Sequence, residues 1–211
     1  RHGLIRSRVV TTVRLVSYKG FDVLIEAFSS VNGQCVIVCE GPLDKQLQQQ
    51  IDALGLQDRV HLVGRLERDD LKCMLHAARI FALPSISPAE TFGIAQMEAM
   101  ACGLPVVNTD VPTGVPWVAR HGHEGLTVPA GQATPLAQAL STLLDDDTLR
   151  LQSGKAAAAR AAELFDERQF IEKTYRIYET EAQRAKERLS ATRAPGIANK
   201  TTEHRTDTYG H

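Results

Sequence analysis

At 211 residues, with 43% hydrophobic and 23% charged side chains, the chain has an ordinary globular composition and the length for one well-buried domain plus a tail. A formal net charge of -1 excludes a general attraction to nucleic acid or anionic lipid, so any anion site must be built locally. No apolar run approaches the roughly 20 residues of a membrane span, which leaves peripheral association at most.

Arg1-His2-Gly3-Leu4 does not open a secretion signal and is not an initiator methionine, so the chain reads as a fragment. The segment Val9 to Val16 is rich in β-branched residues and predicts a first strand. Phe21, Leu24, Ile25, Phe28 and Val31 then recur at helical spacing. Cys35-Val36-Ile37-Val38-Cys39 is a short continuous apolar strand, followed by a helix face of Leu43, Leu47, Ile51 and Leu54 before Gly55. Val60 to Val63 predicts a third strand and Leu71, Met74 and Leu75 the next helix. Ile80 to Leu83 leads through a loop to a helix from about Phe92 to Cys102, stopped by Gly103 and Pro105.

Pro105 to Asn108 and Leu126 to Val128 add two strands, giving about six. Leu136, Leu140, Leu143 and Leu144 mark a further helix, then come an alanine-rich stretch around Ala156 to Ala162 and a helical segment from Phe170 to about Leu189. Strands apolar on both faces, alternating with helices, predict an α/β fold: a Rossmann-like parallel sheet covered on both sides, with a helical C-terminal segment. Residues 1–189 are assigned to that domain, and the polar, aperiodic residues 190–211 to a disordered tail.

The four cysteines, Cys35, Cys39, Cys73 and Cys102, form no CxxC pair and sit in apolar stretches, as core thiols of a cytoplasmic protein do. The polar residues suggest where chemistry sits. In a doubly wound sheet, ligands bind outside the carboxyl ends of the strands where strand order reverses, commonly between the first and fourth strands. Arg14 and Lys19 follow the first strand, while Ser85, Ser87 and Glu90 follow the fourth, so both sets are expected to face one crevice. The loop Pro84 to Thr91 delivers the chain to a helix N-terminus with Gly93 in its first turn, where exposed amides and the helix dipole suit phosphate. Two cations facing that helix start suggest a diphosphate, and Glu98, about two turns into the helix, offers two acceptor oxygens to a vicinal diol such as a ribose. Glu90 is then placed to meet hydroxyls beyond the phosphates, the order of a nucleotide sugar.

The stretch Ser87-Pro88-Ala89-Glu90-Thr91-Phe92-Gly93-Ile94 through Glu98 to Val107 closely resembles the Glu-x7-Glu signature of family 4 (group 1) glycosyltransferases. Arg14-Leu15, Lys19-Gly20, Gly41-Pro42 and the segment Gly125 to Gly131 resemble further elements of that family, so the likeness covers about residues 9 to 180. It implies the C-terminal, donor-binding domain of a GT-B fold, with the N-terminal acceptor domain absent. By that resemblance Arg14 and Lys19 hold the diphosphate of a UDP- or GDP-sugar, Glu98 the ribose and Glu90 the donor hexose. The backbone amides of Phe92, Gly93 and Ile94 line the sugar and phosphate. The implied activity is hexosyl transfer to a glycan or lipid-linked acceptor with retention of configuration and without a bound metal or other cofactor. The alternative is a truncated or inactive module that binds nucleotide sugar without transfer of its own; a GT-B epimerase or phosphorylase matches less of the sequence.

Two departures stand out: Val13 replaces the family's glycine before the arginine, and Trp117 replaces the glutamate of a Gly-Ile-Pro-Glu element. Trp117 suits stacking on a base or sugar and plain packing equally. His121-Gly122-His123 lacks a third metal ligand, and Asp145-Asp146-Asp147 reads as a helix cap before Thr148 and Leu149. Ser85 and Ser87 suit turn or capping roles as well as ligand contact.

Overall fold

The computed structural model describes residues 8–12 and 14–192, so neither Val13 nor most of the predicted tail is among the described residues. These fall into two units, one through Asp166 and one from Glu167 on. The first unit is a six-stranded, wholly parallel sheet in the order β3-β2-β1-β4-β5-β6. Its strands are β1 (Arg8–Thr11), β2 (Gln34–Ile37), β3 (Val60–Leu62), β4 (Ile80–Leu83), β5 (Val106–Thr109) and β6 (Gly125–Val128). The helices between them are α1 (Phe21–Ala27), α2 (Asp44–Ala53), α3 (Arg68–Ala77), α4 (Ile94–Ala101) and the short α5 (Val115–Val118), followed by α6 (Ala133–Asp145) and α7 (Asp147–Leu164).

Alternate residues of each buried strand point to opposite faces, which divides the core in two. Val9, Ile80, Ala82 and Val107 pack with α1, α2 and α6, and the Leu136, Leu140, Leu143, Leu144 stripe closes that side. Val10, Phe81, Leu83 and Val106 pack on the other face with α3, α4, α5 and α7. Burial of each such leucine or phenylalanine stabilises by about 1.5–3 kcal/mol. The second unit is a single helix, α8 (Glu167–Thr192), with i,i+4 and i,i+3 pairs Glu172–Arg176 and Glu181–Arg184 on its surface.

Two element ends differ from the sequence expectation. β1 stops at Thr11, not near Val16, because its pairing with β2 ends at Thr11–Ile37 and the chain then leaves the sheet edge. α4 starts at Ile94, not Phe92, because Gly93 has φ 66, a left-handed conformation that a right-handed helix cannot include. Glu98 is therefore about one turn into the helix, not two.

Candidate functional site

The strand order reverses between β1 and β4, and the segments following these two strands meet at their carboxyl ends. After β1, residues Ser17–Lys19 form one 3-10 turn that ends at Gly20, φ 68. A Cβ at Gly20 would stand 2.1 Å from the Pro84 carbonyl oxygen, so this turn lies directly against the loop after β4. The Ile86 N–H donates to the Tyr18 carbonyl at 2.8 Å and ties the two segments together. Through these contacts Lys19 is carried from the end of one strand to the end of the other.

There the Lys19 ammonium donates to Glu90 Oε2, and Ser85 Oγ donates to the same oxygen at 3.0 Å. Lys19 and Glu90 are each 7% exposed and Ser85 is fully buried. Thr109 Oγ1, at the end of β5, donates to the Ser85 carbonyl at 2.5 Å and holds the loop from below. Withdrawing an ammonium and a carboxylate from water costs several kcal/mol per ion, which only close pairing offsets. Lys19 is thus joined to Glu90 instead of standing apart from it.

The second part of the site is the start of α4. Gly93 is its N-cap without any side-chain cap; the Gln96 N–H turns back to the Gly93 carbonyl at 2.9 Å, and the amides before it in the first turn are left for an outside acceptor. A Cβ at Gly93 would lie 2.4 Å from Leu83 Cδ2, and the left-handed φ excludes most side chains independently. Gly93, Ile94, Lys19, Glu90 and the exposed Arg14 line one cleft of about 340 Å³. Glu98 and Arg14 line an adjoining hollow of about 360 Å³ with Glu40 and Arg65. All four predicted charged residues therefore gather at one edge of the sheet, in two hollows that share Arg14. The Phe92 ring turns to Trp117 instead, at 6.4 Å between centroids.

Sequence reasoning missed the buried amide network beneath this edge. Asn108 Nδ2 reaches Gln96 Oε1 at 3.2 Å and the carbonyls of Val115 and Ala119 at 3.2 and 3.0 Å. Gln96 Nε2 donates to the carbonyls of Phe92 and Val115 at 2.6 and 3.2 Å, and Thr127 Oγ1 donates to Asn108 Oδ1 at 2.8 Å. The network joins α4, β5, α5 and β6. The available signal was a glutamine inside the apolar face of α4 and an asparagine ending an apolar strand.

Elsewhere, His121 Nδ1 accepts the Thr127 N–H at 3.0 Å, which gives that ring a structural partner. Among the described residues, no group of three or more His, Cys, Asp or Glu side chains is gathered as a metal site requires. Asp146 caps α7 by accepting the Leu149 N–H at 2.9 Å, as expected of that acidic run. Cys35 and Cys39 are buried, and burial with the nearby Cys39 pushes the Cys35 thiol far up, so it behaves as a core residue. Glu124 is buried against Arg120, whose Nη2, Nε and backbone N–H reach its carboxylate at 2.6, 3.0 and 2.9 Å.

Comparison with known proteins points the same way as this geometry. The family described as glycosyl transferases group 1 matches residues 6–160. D-rhamnosyltransferase WbpZ of Pseudomonas aeruginosa is 34% identical over 148 residues, which is 70% of this chain and 39% of that protein. A phosphatidyl-myo-inositol mannosyltransferase of Mycobacterium leprae is 36% identical over 169 residues, 78% of this chain and 44% of that one. The chain thus spans less than half the length of these curated relatives. Among solved structures, HepE of Anabaena in complex with UDP and glucose superposes with a TM-score of 0.75 at 29% identity, over 84% of this chain and 48% of HepE. No helix among the described residues is long and apolar enough to cross a membrane.

Proposed function

Because this chain belongs to the group 1 glycosyltransferases, with the fold of a GT-B donor-side domain, we propose that it is the donor-binding half of a retaining, metal-independent hexosyltransferase. The single observation that carries this reading is the meeting of Arg14, Lys19 and Glu90 at the uncapped start of α4, on the strand-order reversal. In it, the diphosphate of a UDP- or GDP-sugar lies on the amides of Gly93 and Ile94 with Arg14 and Lys19 beside it. The ribose reaches Glu98 in the adjoining hollow, and the hexose lies by Glu90 and the Phe92 backbone. A UDP donor is favoured by the complex of HepE with UDP and glucose.

Chemistry then follows from charge. A leaving diphosphate gains negative charge as the glycosidic bond breaks, and two cations with oriented amides stabilise that charge most where water is excluded. The leaving phosphate takes the acceptor's proton, and Glu90, held by Lys19 and Ser85, positions the hexose. The acceptor, a glycan or lipid-linked sugar, is presented by a further domain on the cytoplasmic side of the membrane. Isothermal titration with UDP and GDP tests the reading: at least one binds, and Glu98→Ala or Lys19→Ala weakens it tenfold or more. No binding of either nucleotide would reject it. A module that binds nucleotide sugar without transfer of its own is the second reading, favoured by Trp117 in place of the glutamate of the family element; sugar transfer by these 211 residues alone would remove it.

A further inference from the structure

We propose that Phe92 and Trp117 form a stacking platform for a pyranose ring of the acceptor, an inference that rests on the donor-site reading above. The two side chains are 48% and 54% exposed, unusually open for aromatic residues of this size, and meet edge to face at 81°. They are not loose. Arg160 donates to the Trp117 and Val118 carbonyls at 2.8 and 2.9 Å and lays its guanidinium over the indole, 5.1 Å from the ring centre. Phe165 meets the indole from another side at 6.0 Å. The Phe92 ring is seated on Gly114, where a Cβ would come within 2.4 Å of it, and the Gly114 N–H donates to the Thr91 carbonyl at 2.8 Å.

The buried amides complete the support, since Gln96 holds the Phe92 carbonyl while Gln96 and Asn108 both hold the Val115 carbonyl of the helix that carries Trp117. An exposed aromatic pair fixed in this way loses little conformational freedom when a ligand arrives. The choice of ligand follows from size and chemistry. Two half-open rings offer far less than the ~800 Å² per partner of a stable protein interface, but they match one sugar ring. A pyranose presents a C–H face to the aromatic surface and hydroxyls to a polar rim, here the exposed Thr91 and the half-buried Arg160. Phe92 stands between Thr91 and Gly93, both of which line the donor cleft, so the platform adjoins the rim of that cleft. Trp117 stands where the family element carries glutamate, so the platform belongs to this chain's own specificity.

Trp117 is the only tryptophan, so its emission reads the platform directly. With UDP present, titration with methyl α-mannopyranoside and methyl α-glucopyranoside is expected to change that emission saturably in the millimolar range for at least one of them. Acyclic mannitol leaves it unchanged, and Phe92→Ala weakens the response roughly tenfold. No saturable response to either glycoside, an equal response to mannitol, or an undiminished response in Phe92→Ala overturns the platform. Calorimetric UDP binding separates the two ideas. Trp117→Ala that binds UDP normally yet shows no heat with the responding glycoside supports the platform, and Trp117→Ala that still binds that glycoside overturns it. Absence of UDP binding by the unsubstituted chain counts against the donor site alone.

Discussion

Substituting Lys19 by methionine keeps the length of the side chain but removes its charge, leaving the Glu90 carboxylate buried with Ser85 as its remaining side-chain partner. Loss of one partner of a buried ion pair costs about 3–5 kcal/mol, because the surviving charge keeps its desolvation cost without its counter-charge. In a domain of this size, that loss lowers Tm by on the order of 10 °C. Glu90→Gln on its own leaves the ammonium unpaired and is destabilising by a similar amount. When both substitutions are combined neither charge is buried, and the amide oxygen that replaces the carboxylate still accepts from Ser85, so stability returns to within about 2 kcal/mol of the parent. Urea unfolding followed by circular dichroism, on all four proteins at one pH, measures the coupling. Two single substitutions that each cost under about 1 kcal/mol, or a double whose loss equals their sum, would refute the buried pair.

Arg14 is exposed, so Arg14→Ala is expected to leave stability within about 0.5 kcal/mol while weakening UDP binding roughly tenfold, read by thermal melts and titration together. Gly93→Ala forces a side chain into a left-handed backbone and into Leu83, so it destabilises the domain by about 1–3 kcal/mol and abolishes nucleotide binding; a normal titration would contradict the cradle. Burial pushes the Glu124 carboxyl up, but the hydrogen bonds and charge of Arg120 outweigh that and hold it below its ordinary 4.5. A lowered folded-state pKa contributes stability fully present above the ordinary value and lost as pH falls through the folded one. Melting temperature should therefore drop in acid below about pH 4.5, and Glu124→Gln should flatten that drop; an unchanged profile would refute the contribution.

The strands and helices of the sheet domain were legible because burial on two faces leaves a strong apolar signature, and β2, β4 and β5 begin or end within a residue or two of where the pattern put them. The end of β1 and the start of α4 were not, since both depend on tertiary partners: the extent of pairing with β2, and Leu83 beneath Gly93. The grouping of Arg14, Lys19 and Glu90 followed from the usual strand order of a doubly wound sheet, and Glu98 from its place on the helix after Glu90. Their internal arrangement did not, because Lys19 and Glu90 are 71 positions apart and nothing local marks them as partners. Asn108 and Gln96 escaped notice for a similar reason: one polar residue in an apolar run looks like an interruption until its partners are seen. The Asp145 to Asp147 run was readable as a cap because capping is a local rule.

If a donor nucleotide lies across the two hollows joined at Arg14, a crystal structure of this chain with UDP will display it. Diphosphate oxygens are then expected within hydrogen-bonding distance of Arg14 and of the Gly93 and Ile94 amides, with the ribose hydroxyls on Glu98. UDP bound elsewhere, for instance in the hollow lined by Asp44, Lys45 and Gln48, or absent at saturating concentration, would contradict the donor site.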